Sequence, residues 1–105
     1  MFNILKNLFG GGKNEALINA IKEGAFLVDV RTPAEFKSGS VKGAVNVPLD
    51  SIKNQLNQFK NKKNIVVFCR SGMRSSQAKS ILEQNGFSNV INGGTWQSVA
   101  NAITA

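Results

Sequence analysis

Histidine is absent from this chain, and Cys69 is its only cysteine. An internal disulfide would need a second thiol and a structural zinc site several Cys or His ligands, so the chain can assemble neither by itself. Without histidine there is also no His general base and no Cys-His dyad. Acidic residues are scarce: six Asp and Glu stand against thirteen Lys and Arg, a formal net charge of +7. Such a surface attracts small oxyanions, acidic proteins or nucleic acid, and the sign of the charge does not choose among them. Proline occurs twice, and no apolar run is long enough to span a bilayer. Chemistry is left to six carboxylates, the cationic side chains, hydroxyls, backbone amides and one thiol.

A length of 105 residues gives room for one core, and 42% hydrophobic with 18% charged residues lies in the globular range. The chain opens MFNILKNLFGGG, where Phe2, Leu5 and Phe9 recur roughly as on a helix face and Lys6 interrupts the apolar stretch. It lacks the ordered parts of a secretory signal, so the default location is cytoplasmic. The expectation is a flexible or amphipathic segment over residues 1–13, including a Gly10-Gly11-Gly12 hinge, before a folded domain over residues 14–105. Weak membrane-surface contact through residues 2–9 is the alternative use of that apolar face.

From Asn14 onward helical and strand patterns alternate. Asn14 reads as a helix cap ahead of Leu17, Ile18 and Ile21, and Gly24 as the stop. Phe26 to Val30 suits a buried strand, and Pro33 opens a brief helix through Phe36. Ala44 to Val47 reads as another short strand. Beyond Pro48, Asp50 or Ser51 caps an expected helix with Ile52, Leu56 and Phe59 on one face. Asn64 to Cys69 is the strongest strand signal, followed by a polar loop from Arg70 to Arg74 and a helix from about Ser75 to Asn85. Asn89 to Ile91 forms a last strand, and Gly93-Gly94 leads to a helix that carries Trp96, Val99, Ala100 and Ile103. The pattern predicts an open α/β domain with a mainly parallel sheet and helices on both faces.

Ligands of open parallel sheets bind beyond the carboxyl ends of the strands, and Cys69 sits at that end of the best strand. In Arg70-Ser71-Gly72-Met73-Arg74, Gly72 permits a positive φ, so the backbone amides can curl around one centre while the helix near Ser75 adds its dipole. A free thiol ionises at about pH 8.5, and a helix N-terminus with nearby cations lowers that value, supplying thiolate near neutral pH. Two arginines and several hydroxyls crowded behind one cysteine are hard to explain as packing. The paired charges Asp29, Arg31 and Glu35 read differently: Arg31 with Asp29 or Glu35 forms a structural ion pair that holds the loops. Trp96 reads as a core anchor. Lys60, Lys62 and Lys63 read as a solvated turn, and nucleic acid is disfavoured as a partner because the aromatics fall at core positions.

The run Val66-Val-Phe-Cys69-Arg-Ser-Gly-Met-Arg-Ser75 resembles the active-site loop of rhodanese-type sulfurtransferases in their single-domain form. Asp29-Val-Arg31-Thr-Pro33-Ala-Glu35-Phe36, Gly39-Ser-Val-Lys-Gly43-Ala-Val-Asn46-Val-Pro48 and Asn92-Gly-Gly-Thr-Trp96 follow the family's order. Together they span about residues 14 to 104. The resemblance implies a rhodanese-like fold with no cofactor and no metal. It implies that Cys69 takes the outer sulfur of thiosulfate or a similar small anionic donor, holds it as a persulfide, and passes it to cyanide or a thiol, including a protein thiol. The amides from Arg70 to Ser75 would surround the persulfide, and Arg70 and Arg74 would help bring in the donor. Where the family commonly has histidine, this chain has Ser40.

The missing histidine fits this chemistry, since a thiolate that expels sulfite needs no general base. Tyrosine-phosphatase-like enzymes place arginine six positions after the cysteine. Here that position is Ser75 and Arg74 is at position five, so the ring is shorter and suits a sulfur atom better than a phosphoryl group. The alternative from a different class is a persulfide carrier or protein-binding module of the same fold, with little activity on free thiosulfate and with its charge serving an acidic partner.

Overall fold

The structure, a computed structural model, describes residues 12–105, with side chains from residue 15 onward. Its elements in order are α1 (Gly12–Lys22), β1 (Phe26–Asp29), α2 (Pro33–Ser38), β2 (Val45–Asn46), two 3-10 turns (Leu49–Asn54 and Leu56–Phe59), β3 (Ile65–Cys69), α3 (Met73–Gln84), β4 (Val90–Thr95) and α4 (Trp96–Ile103). The four strands pair in the order β2-β1-β3-β4, all parallel. No helix among the described residues is long and apolar enough to cross a membrane.

All five residues of β3 are buried, as expected of a parallel strand covered on both faces. Side chains alternate across a strand, so Ile65, Val67 and Cys69 share one face and Val66 and Phe68 the other. The first set packs with Ala78 and Leu82 of α3 and with Ile52 and Phe59 of the 3-10 turns. The second packs with Leu17 and Ala20 of α1 and with Val99 and Ala102 of α4. Cys69 is thus the last side chain of the apolar layer beneath α3.

The chain runs outward from β1 to β2, then returns across the sheet to β3 and β4. The reversal leaves a crevice beyond the carboxyl ends of β1 and β3, the usual ligand position in open α/β sheets. The loops that border it are the β1–α2 connection and the β3–α3 connection, which ends in Cys69's followers.

Several boundaries differ from expectation. Helix α1 begins at Gly12, so Asn14 lies in its first turn and Gly12 is helical, not part of a hinge. Phe2, Leu5 and Phe9, with the rest of the segment over residues 2–9, lie outside the described residues. The helix expected after Asp50 is two 3-10 turns separated at Gln55, with i to i+3 bonds such as Gln55 N–H to the Ile52 carbonyl at 3.0 Å. Apolar spacing identifies Ile52 and Phe59 as inward, and both are buried. Two short turns broken at Gln55 bring both inward as one α-helix would, so the spacing does not reveal the pitch. Strand β2 is shorter than Ala44–Val47, and β4 is longer than Asn89–Ile91, running on to Thr95.

That longer strand contains a bulge. Val67 pairs with Asn92 and Phe68 with Gly94, which leaves Gly93 as the extra residue. A Cβ on Gly93 would lie 2.6 Å from Val99 Cγ2 and 3.0 Å from Val66 Cγ1. Both neighbours are buried in the layer between the sheet and α4 and have little room to yield. Gly93→Ala should therefore cost about 1–3 kcal/mol as an overpacking change, read as a lower urea midpoint at an unchanged denaturant slope.

Candidate active site

At the end of β3 the chain turns through Gly72, whose φ of 97° and ψ of −10° place it in the left-handed region at the N-cap of α3. Other residues adopt that conformation at a cost, so Gly72 is the hinge of the loop. Because the turn is completed there, α3 starts at Met73, two residues before the expected Ser75. The loop closes on the sulfur. Gly72 N–H donates to Cys69 Sγ at 3.0 Å and Ser75 N–H at 3.4 Å, and Ser75 Oγ lies 3.5 Å away.

Cys69 has no exposed surface, while Arg70, Ser71 and Met73 lie on the outside of the loop. Burial is the largest single influence on the thiol and pushes its pKa up. Hydrogen bonds from the Ser75 side chain and from the backbone of Ser75, Gly72 and Ser71 together outweigh it, so the thiol ionises below its ordinary value. A buried sulfur with converging donors is a pre-formed site for negative charge.

The donors are themselves held in place. Ser75 Oγ donates to Asn92 Oδ1 at 2.7 Å, and the same oxygen accepts from Gly94 N–H at 2.9 Å. The β4 bulge aims Asn92 at the loop in this way, since a bulge redirects the side chain beside it. Sequence reasoning placed Asn92 in a motif without giving it a role. The signal was the glycine pair behind it, which marks a bulge in a strand.

A second support lies in the β1–α2 connection. Asp29 and Arg31 are both buried and pair at 2.7 Å. The Arg31 backbone and Nε donate to Asp29 Oδ1 at 3.0 Å, and Arg31 Nη2 also reaches the Gly39 carbonyl at 2.6 Å. Ser40 Oγ donates to Asp29 Oδ2 at 2.7 Å, which gives this residue a hydrogen-bonding place in the network. Asn46 Nδ2 ties in the Asp29 and Arg31 carbonyls at 2.9 and 3.0 Å. Of the two partners expected for Arg31, the structure selects Asp29. Trp96 is partly buried: it packs against the layer of Val66, Phe68 and Val99, as expected of a core anchor, and it also flanks this network, with the Arg31 guanidinium 5.3 Å from its ring centroid.

Glu35 belongs to Arg74 instead. Arg74 Nη1 donates to Glu35 Oε1 at 2.7 Å and Nη2 to Oε2 at 3.1 Å. The expectation that Arg74 and Arg70 both serve an incoming anion is thus altered: a carboxylate already occupies the Arg74 fork, the geometry guanidinium prefers. Arg70 is exposed and makes no ion pair among the described residues. Among those residues no cluster of Cys, Asp and Glu could hold a metal ion.

Comparison with known proteins points to one family. The family model described as a rhodanese-like domain matches residues 13–97. A protein named sulfurtransferase from Allochromatium vinosum is 39% identical over 70 residues, covering 67% of this chain and 65% of its own length. The thiosulfate sulfurtransferase PspE of Escherichia coli K12 is 36% identical over 75 residues, covering 70% of this chain and 72% of its own. A solved structure described as rhodanese with anions from E. coli superposes with a TM-score of 0.67 at 34% identity, over 73% of this chain and 93% of that one.

Two outcomes follow from the geometry. Alkylation of Cys69 by iodoacetamide should show a midpoint below the ordinary thiol value of about 8.5, and Ser75→Ala should raise it, because the hydroxyl contact with Sγ that lowers the thiol pKa is lost. Asp29→Ala, which strands a buried guanidinium, should lower the unfolding free energy by about 3–5 kcal/mol in a denaturant titration.

Proposed function

This chain belongs to the rhodanese-like domain family, and from that premise we propose that it transfers sulfane sulfur through a persulfide on Cys69. The observation that carries the reading is the convergence of the Gly72 and Ser75 amides on Cys69 Sγ at the carboxyl end of the central strand. The thiolate attacks the outer sulfur of thiosulfate or a similar donor. A sulfur–sulfur bond forms as the donor's own sulfur–sulfur bond breaks, and sulfite departs with the electron pair. In the second half-reaction a thiolate or cyanide attacks the outer sulfur of the persulfide, and the Cys69 thiolate is the leaving group.

Both steps displace one sulfur anion or sulfite by another nucleophile, so no proton has to be removed at the transition state. That suits a site without histidine. Amides fixed around the sulfur stabilise negative charge without reorganising during the reaction. Arg70, exposed beside the cradle, meets the anionic donor. Ser71, Gly72, Met73 and Ser75 contribute the backbone ring. The pairing of Arg74 with Glu35 adds to the loop-length argument against phosphoryl transfer, since that guanidinium is not free to clamp a phosphate. A lone thiol that cycles between thiolate and persulfide suits a reducing compartment such as the cytoplasm.

Incubation of the purified protein with thiosulfate should add the mass of one sulfur atom, removed by a reductant and absent in Cys69→Ser. Cyanide should then discharge it as thiocyanate. No mass gain from thiosulfate or from a persulfide donor would overturn the reading. Stoichiometric loading from a protein donor with negligible turnover on thiosulfate would reassign the chain as a persulfide carrier.

A further inference from the structure

The carboxylate of Glu35 does more than its helix needs. It is the N3 residue of a capping box: Thr32 N–H and Oγ1 donate to Glu35 Oε1 at 3.0 and 3.1 Å, and Glu35 N–H donates to Thr32 Oγ1 at 3.3 Å. That arrangement alone starts α2. The same carboxylate also receives both Nη atoms of Arg74. Arg74 stands in the first turn of α3, where a cation faces the positive end of the helix dipole and adds to the field on Cys69. The pair bridges the first turn of α2 to the first turn of α3, beside the crevice where the strand order reverses.

Charge is therefore balanced at the rim of the cradle. Hydrogen bonds from Arg74 and from the Thr32 backbone hold Glu35 down to about 2, against a weaker upward push from burial, so it stays ionised throughout the neutral range. Arg74 is shifted up, chiefly by its hydrogen bond to Glu35, with the charges of Cys69 and Asp29 adding to the effect. The guanidinium thus senses the sulfur, and Glu35 offsets it there. The other charged pair near the loop, Asp29 with Arg31, is closed on itself. Arg70 is left as the uncompensated cation of the loop among the described residues.

We propose that Glu35 is a positioning residue that sets the anion preference of the Cys69 cradle: by neutralising Arg74 in place, it tunes the site to sulfur donors that carry no more than one negative charge in all, in preference to dianions such as thiosulfate. This rests on the sulfur-transfer reading and narrows its substrate class.

The test compares alkylation of Cys69 by iodoacetate, an anion, and iodoacetamide, its neutral analogue. Their rate ratio reports the field at the sulfur, because access to the buried thiol is common to both reagents. Glu35→Gln keeps the capping box, in which glutamine also serves, and leaves Arg74 one acceptor while removing the charge. The ratio should rise by roughly three-fold at low salt, the order of effect of one elementary charge nearby in a partly solvated setting. Sulfur loading from thiosulfate in a single turnover should accelerate by at least the same factor. Arg74→Gln, which leaves Glu35 unopposed, should lower the ratio by a similar amount, and the double variant Glu35→Gln with Arg74→Gln should return near the starting value. A ratio in Glu35→Gln, or in Arg74→Gln should the first variant not fold, that stays at the parent value or moves the other way overturns the proposal. If the ratios move as stated but no variant takes up sulfur, the charge setting stands and the sulfur-transfer reading falls.

Discussion

A negative charge on a sulfur inside an apolar layer is tolerable only if hydrogen bonds replace the water it has lost, and the architecture around Cys69 follows from that constraint. The side chain shares the β3 face of Ile65 and Val67, so strand parity directs it into the core beneath α3. Burial alone would keep the thiol protonated and inert. The turn through Gly72 reverses this by bringing the first amides of α3 onto Sγ. Those amides have no carbonyl partner within their own helix. The helix start thus finds an acceptor and the sulfur finds donors, and each satisfies the other's unmet need.

Position in the cradle is then inherited from three neighbours. The bulge at Gly93 lets Asn92 hold the Ser75 hydroxyl, so the β4 strand fixes one side of the loop. The Asp29–Arg31 network fixes the connection after β1 and, among the described residues, leaves no buried side-chain nitrogen or oxygen without a partner, which a buried ion pair requires to be tolerable. Glu35 and Arg74 tie that connection to the loop itself. These supports are side chains from separate strands and turns meeting beyond the carboxyl ends of β1 and β3, where the strand order reverses. A site assembled from several elements needs its relative positions held to fractions of an ångström, and rigid strands and short helices serve that better than one long loop.

Much of this was legible in the sequence because it is carried by local patterns. The buried run before Cys69, the helical spacing of Ala78 and Leu82, and the glycine after two loop residues each report a nearby consequence, and the alternation of such patterns specifies the parallel α/β fold. Other features were not legible because they depend on which distant residues meet. Asp29 and Glu35 lie at comparable reach from Arg31 along the chain, and only the packed connection shows Asp29 inside and Glu35 turned toward Arg74. The 3-10 turns over residues 49–59 obey the same inward pattern as an α-helix for Ile52 and Phe59, so pitch was hidden. Trp96 is large and apolar and packs against the core, yet a position beside Arg31 at the rim leaves part of it exposed. In each case composition specifies what a side chain prefers, and tertiary placement decides which preference it satisfies.

The net charge of +7 illustrates the same division between global and local causes. Lys60, Lys62 and Lys63 precede β3, at the opposite end of that strand from Cys69. Lys62 lies 4.7 Å from the centroid of the Phe26 ring and Lys63 is 3.5 Å from Glu23. Five strand residues separate the two ends by roughly 16 Å, about twice the screening length of about 8 Å at physiological salt. These lysines can raise the rate at which anions or acidic partners meet the protein, but they contribute little to the potential at the sulfur. The field there is set by nearer groups: Arg70 next to Cys69 in the chain, Arg74 in the first turn of α3 and offset by Glu35, and the amides of Gly72 and Ser75. A strongly basic chain can therefore hold a buried thiol beside which one of two arginines is offset by a carboxylate, and the two properties respond to different substitutions.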